Sequence, residues 1–299
     1  MQKPSDSQSS DSQWTILDLI KWTTTYFDSH QIDCPRLTVE LLLAHVLGIE
    51  RIDLYLRFDQ PLSADELAHF KQLIKRRLNR EPLAYILGRR DFWEMTVAVD
   101  QNVLIPRPET EFLVEAALNL IPESSNARRM RILELGTGSG AIILSLAAGR
   151  PGHLFYASDM DFNALKVARK NAGANQLAGH VGFFAANWFA PIQATAEFDL
   201  IVSNPPYIPA NDIAGLAPEI YNYEPELALD GGADGLTEIR HIIESAPPHL
   251  SEGGRLLIEI GNGQSVAVQA LIEAAQGLQL IRIIQDYGGY NRVVAAEKL

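Results

Sequence analysis

Four consecutive residues, Asn204-Pro205-Pro206-Tyr207, have the types and spacing to hold a planar NH2 group. They follow the apolar run Phe198-Asp199-Leu200-Ile201-Val202-Ser203, expected to be a buried strand that closes on a rigid polar loop. Proline fixes its own φ and restricts the residue before it, so Asn204 and Pro205 are driven into extended geometry. Neither proline carries a backbone N–H, so the loop offers acceptors with few competing donors. The Asn204 side-chain oxygen can accept one hydrogen of the NH2 group and the Pro205 carbonyl the other, with Tyr207 as an aromatic wall. A Pro-rich turn without any ligand is the plain alternative for the same residues.

A second element lies about seventy residues upstream. Ile132-Leu133-Glu134-Leu135 reads as a short strand, Gly136-Thr137-Gly138-Ser139-Gly140 as a glycine loop, and Ala141 to Ala147 as a buried helix. Strand, glycine loop and helix form the first half of a nucleotide-binding unit, in which glycines permit the turn and let a ligand approach the backbone. The next expected strand, His153 to Ser158, ends at Asp159, where an acid can accept from ribose hydroxyls. Gly136, Gly138 and Ala141 also satisfy the dinucleotide fingerprint, so this loop alone does not choose between a nicotinamide dinucleotide and S-adenosylmethionine. The Asn-Pro-Pro-Tyr loop does. In a doubly wound sheet, ligands bind beyond the carboxyl ends of the strands at the point where strand order reverses. If the strand ending at Leu135 is first and the one ending at Ser203 fourth, a methyl donor over one loop faces an amide or amine held by the other.

The residues from Gly136 to Gly140, Asp159, and Asn204 to Tyr207 resemble the motifs of class I S-adenosylmethionine-dependent methyltransferases that modify planar nitrogens. A narrower resemblance is carried by Glu81 to Gly88, Phe92-Trp93, Leu104 to Glu111, Tyr223-Glu224-Pro225, Leu229 to Leu236, Glu259-Ile260-Gly261 and Arg292-Val293-Val294. These segments look like those of the bacterial peptide chain release factor N5-glutamine methyltransferase family, and the similarity runs from Leu37 to Val294. It implies an α/β fold: a doubly wound, mostly parallel seven-stranded methyltransferase sheet, a small N-terminal helical domain and a linking β-hairpin. It also implies S-adenosylmethionine as cofactor, S-adenosylhomocysteine as product, no metal, and the glutamine of a release factor's Gly-Gly-Gln tip as substrate. Gly136, Thr137, Gly138, Ser139, Gly140, Asp159, Asn187, Trp188 and Asn204 are then the cofactor-binding residues. Catalysis is assigned to Asn204, Pro205 and Tyr207, and substrate binding to Asn204 through Tyr207. Asn187 departs from the family pattern, which commonly has an acid there to accept from the adenine amino group. Trp188 is carried over as an adenine contact, with a core aromatic as the alternative.

Bulk properties narrow the partners. With 299 residues, 47% hydrophobic and 21% charged, the chain has the composition of an ordinary globular protein with room for one large and one small domain. A formal charge of −12 disfavours duplex nucleic acid, which is gripped mainly through phosphates by basic surfaces. The basic run Lys71, Lys75, Arg76, Arg77, Arg80 reads as a solvated helix face, with contact to an acidic protein as the alternative. A single cysteine, Cys34, excludes an internal disulfide and suits a reducing cytosol. No apolar stretch approaches the ~20 residues of a membrane helix, and the first residues lack a signal-peptide pattern. The expected protein is cytoplasmic and monomeric, with no membrane association.

Along the chain, residues 1–13 are expected to be a disordered tail and 14–90 a helical domain that recognises the substrate. Its helices are marked by Ile16, Leu19, Ile20, Thr23 and Phe27; by Val39, Leu42, Leu43, Val46 and Leu47 before a Gly48 stop; and by a capping box at Ser63-Ala64-Asp65-Glu66. Residues 91–105 are expected to be a hairpin linker, with strands at Phe92 to Val99 and Val103 to Ile105 around Asp100-Gln101-Asn102. The methyltransferase domain spans 106–299, opening on a helix from Thr110 to Leu120 that Arg107-Pro108-Glu109 initiates. Later strands are expected at Gly254 to Ile260, Leu280 to Ile284 and Arg292 to Ala296, the last pair antiparallel, and Glu259 is read as structural. Three rival functions stand beside the leading one. They are N6-adenine methylation of DNA, methylation of a ribosomal-protein glutamine, and a catalytically silent adaptor that binds partners through the helical domain.

Overall fold

The computed structural model describes residues 13–123, 128–193, 195 and 197–299. The expected tail therefore lies outside the described residues, except for Gln13. The chain divides into two compact units, Met1–Leu87 and Gly88–Leu299.

Local signals explain the helices of the first unit. Thr15 and Asp18 form a reciprocal capping box that starts α1 (Ile16–Ser29). Pro35 occupies the first turn of α2 (Pro35–Leu47), and Gly48, at φ +63°, ends it in the left-handed region. After the short α3 (Asp53–Leu56), the expected box of Ser63 and Glu66 opens α4 (Ala64–Leu78), and α5 (Leu83–Leu87) closes the unit. Leu19 and Phe27 of α1, Leu42 and Leu43 of α2, and Phe70 and Ile74 of α4 share one buried core.

The second unit begins with an antiparallel hairpin, β1 (Arg89–Phe92) and β2 (Met95–Ala98). This corrects the expected hairpin linker of 91–105. The chain reverses at Trp93, whose φ of +53° makes the tight turn, and not at Asp100-Gln101-Asn102. Asp100 instead accepts from the Asn102 N–H in a local turn, and Val103 to Ile105 forms no strand. A 3-10 turn at Pro108–Thr110 leads into α6 (Glu111–Leu118), and Glu111 accepts from the Trp93 N–H at 3.0 Å.

The remaining elements alternate: β3 (Arg131–Leu135), α7 (Ala141–Gly149), β4 (Leu154–Asp159), α8 (Phe162–Ala174), β5 (Val181–Ala185) and β6 (Phe198–Ser203). Then come α9 (Pro218–Tyr221), α10 (Thr237–Ser245), β7 (Leu250–Glu259), α11 (Ser265–Ala274), β8 (Leu278–Gln285) and β9 (Asn291–Lys298). The seven-stranded sheet has the order β5-β4-β3-β6-β7-β9-β8, parallel except where β9 pairs with β7 and β8. Strands covered on both faces read as largely apolar runs, which is the character of β3, β6 and the Leu256-Leu257-Ile258 half of β7. Leu133, Ile201, Leu256 and Val294 of the sheet pack with Ile239, Ile242 and Ile243 of α10 and Val268 and Ile272 of α11.

Strand order reverses between β3 and β6, the doubly wound arrangement. Leu135 lies opposite both Ser158 of β4 and Ser203 of β6. Consequently Gly136, Asp159 and Asn204, each the next residue along its chain segment, emerge side by side at the carboxyl edge of the sheet. The Ser203 hydroxyl donates to the Leu135 carbonyl at 2.9 Å and pins the two strand ends together.

Candidate active site

The glycine loop after β3 requires its glycines at specific places. Gly136, Gly138 and Gly140 adopt φ of +70°, +54° and +81°, where a side chain is strained. A Cβ on Gly138 would meet no atom within 4 Å, so the loop's backbone lies open to a cavity there. On Gly140 it would press on Ala168 and Leu144, so this glycine serves close packing of α7 on α8. The loop is tied down by Asp159, whose Oδ2 accepts from the Gly138 N–H at 2.8 Å and Oδ1 from the Asp161 N–H at 2.9 Å. Burial raises the Asp159 pKa, and these backbone donors oppose the rise. Asn171, fully buried in α8, donates to the Ser139 carbonyl and also brackets Ala98 at the end of β2.

The cavity over this loop has a volume of about 310 Å³. Of the residues singled out in the sequence, Gly136, Thr137, Gly138, Ser139, Asp159, Asn187, Trp188, Asn204 and Pro206 line it. Gly140 does not. Pro205 and Tyr207 instead line a neighbouring cavity of about 300 Å³ with Arg107, Glu109 and Arg292. Asn204, Leu104, Arg107 and Ala228 belong to both cavities. Trp188 has φ +49°, its ring faces Gly136, and its indole N–H donates to Glu238 Oε2 at 2.6 Å. An indole fixed at its nitrogen and backed by glycine forms a rigid cavity wall, and the same ring packs against the hydrophobic core of the sheet.

The Asn-Pro-Pro-Tyr loop is braced from several directions. Asn204 Nδ2 donates to the buried Thr110 Oγ1 at 3.1 Å, which leaves Oδ1 as the side chain's acceptor. The Tyr207 carbonyl accepts from Gln264 Nε2 at 2.9 Å, and Gln264 also bonds to Gly235 and Gly261. Backbone bonds link Ile208 to Leu229 and Gly231, and Ala210 to Gly232. Opposite this loop, Glu224 is buried and accepts from Arg107 at 2.5 Å and from the Ile105 N–H at 3.2 Å, so the 103–110 segment is clasped to the 218–229 segment. The Arg107-to-Glu111 stretch thus starts a helix and also holds Asn204 and a cavity wall.

Sequence reasoning passed over Glu134, Thr110, Glu238 and Gln264 and treated Glu259 as structural. For Glu134 the signal was present: an acid in a strand otherwise apolar, two residues before the first loop glycine. It is buried, accepts from the Thr137 hydroxyl at 2.5 Å and the Ile143 N–H at 3.2 Å, and lines the cavity. Its other oxygen, Oε1, is buried without a hydrogen-bond partner. Burial pushes its pKa up to about 8 against these two donors, with Asp159 adding to the rise. An unpartnered buried acceptor beside an open glycine loop suits a ligand that carries an ammonium group. An acid at the end of β4, Asp159, and an indole wall, both lining the cavity, suit its nucleoside part, so the residues present fit S-adenosylmethionine.

Comparison with known proteins agrees with this geometry. The family described as PrmC N-terminal domain matches residues 18–88, and that described as Methyltransferase small domain matches 110–220. The release factor glutamine methyltransferase of Geobacter sulfurreducens is 40% identical over 281 residues, covering 94% of this chain and 96% of that protein. The protein of the same name from Rhodopirellula baltica is 35% identical over 291 residues, covering 97% and 98%. Among solved structures, the hMettl16 catalytic domain in complex with a MAT2A 3'UTR hairpin superimposes with a TM-score of 0.54. It is 18% identical, covers 75% of this chain and 81% of that one, and is informative for the fold alone. A sheet whose switch point joins a glycine loop to an Asn-Pro-Pro-Tyr loop, matched over nearly the full length by such relatives, places this chain in the release factor glutamine methyltransferase family.

Proposed function

We propose that this protein methylates the side-chain amide nitrogen, N5, of the glutamine in the Gly-Gly-Gln tip of peptide chain release factors, using S-adenosylmethionine. The observation that carries the reading is Asn204. It borders both cavities, with its amide nitrogen engaged by Thr110 and its oxygen left to accept. The names of the relatives supply the substrate class.

S-adenosylmethionine, when bound, would supply a methyl group already activated by the sulfonium. Gly136, Gly138, Glu134, Asp159, Asn187 and Trp188 would hold it. This chain's own contribution is orientation and exclusion of water. A primary amide is a poor nucleophile because its nitrogen lone pair is delocalised into the carbonyl. Acceptors at Asn204 Oδ1 and the Pro205 carbonyl orient the two N–H bonds and stabilise positive charge developing on nitrogen. Each contributes ~3 kcal/mol in a dry site, by analogy with oxyanion donors. The proton can leave after transfer, so no general base is assigned. We assign recognition of the release factor to the helical unit, where Ile52, Leu56 and Phe58 leave large apolar side chains exposed. The reading also places the protein in the cytoplasm, where release factors act.

Tritiated S-adenosylmethionine offered with purified release factor or with duplex DNA tests this assignment. Label is expected in the release factor, on the glutamine of the tip peptide by mass spectrometry. Labelled DNA beside an unlabelled release factor would defeat it.

A further inference from the structure

The second cavity, of about 300 Å³, adjoins the first at Asn204, and Pro205 and Tyr207 line it alone of the two. None of Gly136, Gly138, Glu134, Asp159, Asn187 and Trp188, the residues proposed to hold S-adenosylmethionine, borders it. Its walls are of two kinds. Ile208, Ile220 and Leu229 supply apolar surface, whereas Arg107, Glu109 and Arg292 supply charge of both signs. Glu109 disfavours an anion there, and all three charges disfavour a purely apolar side chain. A neutral polar ligand fits this lining best.

The two guanidinium groups are anchored. Arg107 Nη2 donates to Glu224 Oε1 at 2.5 Å, and Arg292 Nε donates to Asp286 Oδ2 at 2.7 Å. Arg292 also lies over the Tyr290 ring, 5.6 Å from its centroid. A guanidinium carries five N–H donors, so each arginine keeps donors beyond these bonds. Glu109 differs from both. It is half-buried in the 3-10 turn Pro108–Thr110, and among the described residues its carboxylate makes no hydrogen bond or ion pair. The cavity therefore sets an unused acceptor beside two fixed sources of donors. A peptide backbone, with one N–H and one C=O per residue, has the complementary groups.

We propose that the second cavity is a subsite for the main chain of the substrate. Glu109 accepts from the backbone N–H of the target glutamine, and Arg107 and Arg292 donate to backbone carbonyls beside it. The inference rests on the proposed function, which puts the side-chain amide between Asn204 and the Pro205 carbonyl. Asn204 borders both cavities and Pro205 only the second, so an amide held there stands at the mouth of the second. With the cofactor over the glycine loop, the rest of the glutamine extends on the Pro205 and Tyr207 side. A glycine before it brings no side chain against Glu109 and the two arginines.

Two peptides test this on the full chain saturated with S-adenosylhomocysteine: acetyl-Gly-Gly-Gln-amide, and the same peptide methylated on the glutamine backbone nitrogen. Affinity is read by NMR titration, which needs no turnover. Wild type is expected to bind the methylated peptide about 10- to 100-fold more weakly, the scale of a lost hydrogen bond to a charged group. Glu109→Ala should lose about as much on the unmodified peptide, and then less than about threefold more on methylation. Glu109→Gln keeps an acceptor oxygen and should retain part of the discrimination. Affinity of both variants for S-adenosylhomocysteine should stay within about threefold of wild type, because Glu109 does not line the cofactor cavity. Losses from methylation and from Glu109→Ala that multiply would show that the two groups do not meet, and would overturn the inference. Undiminished binding of the methylated peptide to wild type also overturns it, even if Glu109→Ala does not fold. Failure of wild type to methylate release factor would count against the proposed function, while the peptide affinities would still decide this inference. Absence of peptide binding would then overturn it as well.

Discussion

In the proposed function Asn204 concentrates the chemistry in one carboxamide, and its removal should separate binding from reaction. Asn204→Ala is expected to lower methyl transfer by roughly 100-fold, the scale on which a single stabilising group acts in a preorganised site. Affinity for S-adenosylhomocysteine, read by calorimetry, should stay within a few-fold. Equal loss of both would show that Asn204 serves the cofactor. Glu134 supports a different expectation. Its carboxyl ordinarily titrates at 4.5 but is held near 8 by burial, so the folded ligand-free protein binds a proton there that the unfolded chain has released. Stability contributed by the neutral form is full below pH 4.5 and is lost as pH rises through about 8. Glu134→Gln, neutral throughout, should therefore flatten the fall in Tm between pH 5 and 9, a difference on the order of a few kcal/mol, while weakening cofactor binding. A thermal scan across pH with no change of slope would contradict this. Asn204 and the loop glycines were legible because each stands in a short motif directly after an apolar strand. Thr110, Gln264 and Glu238 were not legible, since a polar residue reveals its role only through a partner far along the chain. Thr110 and Asn204 are 94 positions apart.

Elements show the same division. The strand Phe198–Ser203 has the bounds its apolar run suggested, and the antiparallel ending of β8 and β9 matches the pattern read from the sequence. The edge strand β5 was not delineated, because Gly182 and alternate exposure leave it without a continuous apolar run. The hairpin was misplaced because Asp100-Gln101-Asn102 carries turn chemistry, whereas the real reversal relies on a tryptophan at positive φ. Gly231, Gly232 and Gly235 illustrate what a motif hides. They stood in the sequence as family resemblance without a role, and the structure gives them one: bracing the Asn-Pro-Pro-Tyr loop. A Cβ on Gly235, which sits at φ +72°, would lie 2.5 Å from the Tyr207 carbonyl oxygen and 2.9 Å from Gln264 Nε2. Backbone strain alone at such a position is about 1–3 kcal/mol. Gly235→Ala should therefore lower the melting temperature and reduce kcat by about tenfold or more as the Asn-Pro-Pro-Tyr loop shifts. Cofactor affinity should change less, because the glycine loop after β3 is braced separately by Asp159 and Asn171. A variant with unchanged kcat would mean that Tyr207 tolerates the displacement.

At the scale of the whole molecule, chemistry and the proposed recognition fall in different units. Both cavities are lined entirely by residues of Gly88–Leu299, while Met1–Leu87 has a core of its own built on Leu19, Phe27, Leu42 and Phe70. A fragment of residues 88–299 retains every group assigned to the cofactor and to the amide. It should bind S-adenosylhomocysteine within about threefold of the full chain, since no lining residue has been removed. Turnover of a short Gly-Gly-Gln peptide should fall little for the same reason. Transfer to an intact release factor should fall at least about tenfold in kcat/KM, with most of the loss in KM, because the removed contacts are remote from the reacting atoms. Comparing the two substrates on the fragment and the full chain measures this directly. Undiminished transfer to the intact factor would relocate recognition to the methyltransferase unit. A loss shared equally by peptide and protein would show that the helical unit supports the reacting groups themselves. Charge offers an independent check at this scale. A chain of net −12 that grips a protein mainly through apolar side chains such as Leu56 should show a shallow dependence of KM on salt. An enzyme that tracks phosphates loses affinity steeply as salt rises. A steep slope on release factor would therefore move the contact from the apolar face to the basic residues of α4 that remain accessible, Lys71, Lys75 and Arg76, since Arg77 is buried.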